Sequence, residues 1–94
     1  MIFKVQMWAF MDGMIREVDV PDHLIKNNID DLDAIYMYGQ NEMRSLRMCS
    51  VSPCDVIEYN DELYLIAMCG FEKMSKAEYD EYIKSEDKIM KIFG

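Results

Sequence analysis

Apolar and polar residues alternate from Ile2 to Trp8. Phe3, Val5 and Met7 fall on one side and Lys4 and Gln6 on the other, the period-two pattern of a strand. Phe10-Met11-Asp12-Gly13 follows, and Asp-Gly marks a tight turn because glycine tolerates positive φ. Met14 to Val20 reads as a second strand, with Arg16, Val18 and Val20 on one face and Ile15, Glu17 and Asp19 on the other. Pro21 has no N–H to give a ladder and stops it. An N-terminal β-hairpin is the expectation.

Beyond Asp22 the period changes. Ile25, Ile29, Leu32, Ile35 and Tyr36 recur at three- and four-residue steps, one apolar face of a helix. Asn27 and Asn28 interrupt the pattern, so the firm helix runs from Asp30 to Tyr38. Asp30, Asp31 and Asp33 then occupy its first turn, where negative charge suits the helix dipole. They read as a helix start and not as a cation site; an EF-hand lacks its glycine and its closing glutamate. Gly39 is a natural terminator. Gln40 to Cys49 is polar and irregular, an exposed loop carrying Arg44 and Arg47.

Ser52-Pro53-Cys54-Asp55 is a turn with proline setting φ. Asp55 to Tyr59 and Leu63 to Met68 are strand-length runs of β-branched and aromatic residues joined by the turn Asn60-Asp61. Gly70-Phe71 breaks or bends the second run, as a bulge would. Ser75-Lys76-Ala77-Glu78 is a capping-box pattern, and a helix is expected from there to about Phe93. Its apolar stripe breaks near Ser85. Asp80–Lys84 and Asp87–Lys91 are four-residue ion pairs. Together these elements predict a single α+β domain over residues 1–94. A small antiparallel sheet is built from two β-hairpins, and a middle helix and a C-terminal helix cover one face.

A formal charge of −8 bears on partners. It repels phosphate backbones and anionic membranes, which argues against direct nucleic-acid binding and membrane association. It suits basic protein partners, including proteins whose ordinary ligand is nucleic acid, and it also favours solubility. No run nears the ~18 apolar residues of a membrane span. The first residues lack a basic leader and a cleavage site, so no signal peptide is expected. Three cysteines, an odd number, then read as reduced thiols in the cytosol.

Catalytic chemistry finds little footing. Cys49 and Cys54 have a spacing that a zinc knuckle accepts, but Cys69 and the only histidine, His23, stand apart, and zinc usually takes two local pairs. Nucleophilic cysteine chemistry needs a base, and only His23 could supply an imidazole. Phosphate loops, dinucleotide fingerprints and serine elbows are missing from the sequence. No enzyme activity and no cofactor are therefore expected. Ten methionines are many for this length, and they suit either core filling or an adaptable contact surface around Met37, Met43 and Met48.

Leu32-Asp33-Ala34-Ile35-Tyr36, then Ser50-Val51-Ser52-Pro53-Cys54-Asp55-Val56-Ile57, then Tyr64 and Gly70-Phe71, resemble the YodL-like domains of phage, plasmid and conjugative-element proteins. The likeness spans about Leu32 to Phe71. Pro53-Cys54 departs from it, standing where the family has a small pair. The resemblance implies a mobile-element setting and no catalysis. The expected function is a non-enzymatic, acidic protein-binding module, a stoichiometric inhibitor of a host nucleic-acid-handling or defence protein. Its contact residues would be Asp30, Asp31, Asp33, Tyr38 and Glu42, with Asp80, Glu81 and Asp87 as a second acidic face. The alternatives are a zinc or thiol protein using Cys49, Cys54 and Cys69, and a homodimer closed by exposed Met and aromatic side chains.

Overall fold

The computed structural model describes residues 1–9, 13–40, 50–85 and 88. Five strands form one antiparallel sheet in the order β2-β1-β3-β4-β5. They are β1 (Ile2–Met7), β2 (Met14–Asp19), β3 (Val56–Tyr59), β4 (Glu62–Ala67) and β5 (Gly70–Met74). Helices α1 (Asp31–Tyr38) and α2 (Lys76–Lys84) complete the described structure, with a short 3-10 turn at Asp22–Leu24.

The N-terminal hairpin keeps the expected faces: Phe3 pairs with Val18 and Val5 with Arg16, and all four are buried. The predicted turn residues 10–12 lie outside the described residues, but Gly13 has φ +74 and donates to the Met7 carbonyl at 2.8 Å. The β3–β4 hairpin turns on Asn60 and Asn60's neighbour Asp61, at φ 50 and 62. Both central residues are left-handed, the twist that matches a two-residue hairpin.

One expectation needs correction and one needs extension. The strand breaks near Gly70-Phe71 as expected, but the sheet does not stop there. Gly70, at φ +126, opens β5, which pairs along β4 from Ala67↔Gly70 to Leu63↔Met74. Nor do the helices share a face. Leu32 and Ile35 of α1 pack with Val5, Val18, Ile57 and Ile66, whereas Tyr82 of α2 packs with Val56, Leu65 and Met74. Because side chains alternate across a strand, Val56 and Ile57 point to opposite layers, as do Leu65 and Ile66. The sheet centre is thus buried on both sides.

The ends of the helices have local causes. Gly39 caps α1 at φ −81, so its glycine is not a left-handed terminator. A Cβ there would lie 2.9 Å from the Val51 Cβ and closer still to its Cγ2. Glycine is needed for close approach and not for torsional freedom. At α2 the capping box forms as expected: Ser75 Oγ accepts from Glu78 N at 3.2 Å, and Glu78 Oε1 accepts from Ser75 N at 3.1 Å. This helix stops at Lys84, with Ser75 and Ser85 both extended. Lys88 Nζ donates to the Ser85 carbonyl at 2.8 Å and sits 4.9 Å from the Trp8 ring centroid. The predicted stretch to Phe93 otherwise lies outside the described residues, as does Asp87–Lys91. Asp80 and Lys84 do not close an ion pair.

Candidate functional site

The eight residues predicted to contact a partner do not form one patch. Asp30 and Asp33 are exposed at the start of α1. Glu81 is exposed and Asp80 half-buried on α2, on the other side of the sheet. Tyr38 is half-buried against the α1-side core. Glu42, Asp87, Arg44 and Arg47 lie outside the described residues, as do Met43, Met48 and Cys49.

Asp31 must be withdrawn from any contact surface, because it is fully buried. Its Oδ1 accepts from Lys26 N at 2.8 Å, and its Oδ2 accepts from Asn27 N at 3.0 Å and from the Tyr59 hydroxyl at 2.6 Å. Burial works to raise its pKa, but these donors prevail and hold the carboxyl below its ordinary value. Burial and the adjacent carboxylate push the Tyr59 hydroxyl up to about 12. Asp31 is a fastening between α1 and β3, and Asn27 at φ 60 bends the chain over it.

Asp55 performs a similar task at the start of β3. Its Oδ2 accepts from Ser52 N at 2.8 Å, the local bond expected of this turn. Its Oδ1 also accepts from Trp8 N at 2.7 Å and Ala9 N at 2.8 Å, joining β1 to β3. Burial pushes its pKa up, and the three N–H donors oppose that rise. The turn itself has Pro53 followed by Cys54 at φ 86, with Asp55 N donating to the Ser52 carbonyl at 3.0 Å. That is the type II pattern, with cysteine where glycine is usual. The residues that carried the resemblance in the sequence are therefore largely core and turn: Leu32 and Ile35 are buried, Tyr36 meets Phe71 edge-on at 6.4 Å, and Tyr64 donates to Glu62 at 3.0 Å.

The thiols are separated in role. Cys54 is buried beside Tyr82, whose hydroxyl donates to the Cys54 carbonyl, and Cys69 is exposed in the β4–β5 turn. His23 is exposed in the 3-10 turn. Among the described residues no group of three or more His, Cys, Asp or Glu side chains could hold a metal ion. No helix among them is long and apolar enough to cross a membrane.

The surface feature that the sequence reading missed is the free edge of β5. Ile66 N donates to the Asp55 carbonyl at 2.9 Å, and the Ile66 carbonyl accepts from Cys54 N at 3.0 Å. The backbone of Ile66 therefore faces the β3 side, and strand alternation turns Leu63, Leu65 and Ala67 towards β5. Their partners Met74, Glu72 and Gly70 complete that ladder. Phe71 and Lys73 consequently direct N–H and C=O outward, and among the described residues nothing pairs with them.

A groove flanks this edge on each face of the sheet. On the α1 side, a groove of about 240 Å³ is lined by Asp33, Tyr36, Pro53, Met68 and Phe71, with Met68 53% exposed. On the α2 side, one of about 160 Å³ is lined by Leu65, Glu72, Met74, Glu78, Glu81 and Tyr82. Lys73 also borders it, but its ammonium is held by Glu62 at 2.7 Å. A larger hollow of about 720 Å³ lies near Met1, Asp19 and Asp22. Its two carboxylates are already engaged by the Met1 ammonium at 3.2 and 2.7 Å. No family model matches the chain, and neither a curated protein nor a solved structure does.

Proposed function

We propose that this chain is a non-enzymatic, acidic protein-binding module of a phage or mobile element. It acts as a stoichiometric inhibitor of a basic host protein that handles nucleic acid or serves in defence. The reading is supported chiefly by the placement of acidic side chains around a net charge of −8. Exposed Asp30 and Asp33 on one side of the sheet, and Glu72, Glu78 and Glu81 on the other, present negative potential in two directions. Such a surface steers a basic partner into contact and competes with nucleic acid for it.

The test is affinity capture from host lysate, followed by titration calorimetry with the recovered protein. A 1:1 complex that persists at moderate salt and is displaced by the partner's nucleic acid is expected. Recovery of only assorted basic proteins, all released by modest salt, would reject the reading, since screened non-specific attraction behaves that way.

A further inference from the structure

We propose that β5 is a docking edge, to which an extended segment of the partner adds as a sixth strand. The identification of the partner as basic rests on the function proposed above. The edge itself rests on geometry. The outward N–H and C=O groups of Phe71 and Lys73 supply main-chain pairing without sequence preference, and alternate side chains of the added strand then read the two flanking grooves.

The register fixes what those side chains are. A residue opposite Glu72 shares the sheet face of Glu72, Glu78 and Glu81, and three carboxylates there select lysine or arginine. A residue opposite Phe71 shares the face of Phe71, Tyr36 and Met68, which selects an apolar or aromatic side chain. The segment therefore alternates apolar and basic residues. A second copy of this chain fits worse. The symmetric antiparallel register that engages both outward residues, Phe71 opposite Lys73, sets one Glu72 directly against the other, and like charges in that position are destabilising.

The probe is a capped heptapeptide, (Val-Lys)3-Val, titrated into the 15N-labelled chain. Shift changes concentrated at 71–73, with slowed exchange of the Phe71 and Lys73 amides, are expected. A (Gly-Lys)3-Gly peptide of equal charge but poor strand propensity should bind at least about tenfold more weakly. Lys73→Pro removes an outward N–H and leaves the β4 ladder intact, so it should weaken binding at least about tenfold. Lys73→Ala breaks the Glu62 ion pair but keeps the N–H, and should bind within about twofold of wild type. If Lys73→Pro melts early, the pair Glu72→Lys and Glu81→Lys carries the test, again with a loss of at least about tenfold.

Absence of binding, shifts mapping to β2, or undiminished affinity in Lys73→Pro or the lysine pair would overturn the docking edge. A β5-mediated dimer in light scattering would overturn it as well. Capture of a host protein equally by wild type and Lys73→Pro would remove the edge and leave the inhibitor function standing. Peptide docking at β5 with no 1:1 host complex would remove the inhibitor function alone.

Discussion

Replacing Asp31 by asparagine tests whether this carboxylate fastens α1 to the sheet or serves the surface. The wild-type group accepts one bond at Oδ1 and two at Oδ2. An asparagine can turn its oxygen to Lys26 N or to Asn27 N, but not to both. With the oxygen on Lys26, the amide NH2 can donate to Tyr59 Oη, whose proton then serves the Asn28 carbonyl at 3.2 Å. The Asn27 N–H is still left facing another donor. One stranded, part-buried donor, at about 1–2 kcal/mol, plus about 1 kcal/mol for the loss of charge assistance, gives about 2–3 kcal/mol in total. For a domain of this size that is a fall of roughly 10–20 °C in Tm. Urea denaturation followed by circular dichroism measures it.

The pH dependence supplies the sign. The folded pKa of Asp31 lies below its ordinary 3.8. Its stabilisation is therefore fully present above that value and is lost as pH falls through the folded pKa. The gap between wild type and Asp31→Asn should be level at neutral pH and close in acid below 3.8. A gap under about 0.5 kcal/mol at pH 7, where surface substitutions usually fall, would refute the fastening role. So would a gap that stays constant on acidification.

Three further substitutions address the layers separately. Gly39→Ala forces a methyl against Val51 and should destabilise by about 1–3 kcal/mol, with part of the loss recovered in the double variant carrying Val51→Ala. Additive effects in that cycle would show that the close approach is not the cause. Ser75→Ala removes the α2 cap and should cost about 1 kcal/mol by chemical denaturation; an unchanged midpoint would mean the capping box contributes nothing. Tyr82→Phe removes the hydrogen bond to the buried Cys54 carbonyl and should cost about 1 kcal/mol, whereas a neutral outcome would mean that this bond contributes nothing net.

Local patterns made much of the fold legible. The period-two face of Phe3, Val5 and Met7, the Asn60-Asp61 turn and the Ser75 capping box each depend on neighbours in sequence, and each forms as expected. The elements that escaped reading depend on distant residues. Asp31 looks like any first-turn acid until Tyr59, 28 residues away, covers it. The two-sided packing did leave a trace: Val56-Ile57 and Leu65-Ile66 are adjacent apolar pairs, and adjacency without alternation signals burial on both faces. Strand β5 left less, because Phe71-Glu72-Lys73-Met74 has only one aromatic and no β-branched residue. The candidate surface was legible only as charge; the edge that gives the charge a geometry depended on β5.

The join between β1 and β3 has a consequence for how the molecule assembles. Among the described residues the ladder between the N-terminal hairpin and the three-strand meander that follows is short: Lys4↔Glu58, Val5↔Ile57 and Gln6↔Val56. Each of those two pieces can form from near neighbours, whereas closing the seam between them requires a loop of about fifty residues to shut first. Asp55, gripping Trp8 and Ala9 at the mouth of that seam, is the latch. Assembly should therefore be limited by the meeting of two preformed halves, and the first breach on unfolding should run between them.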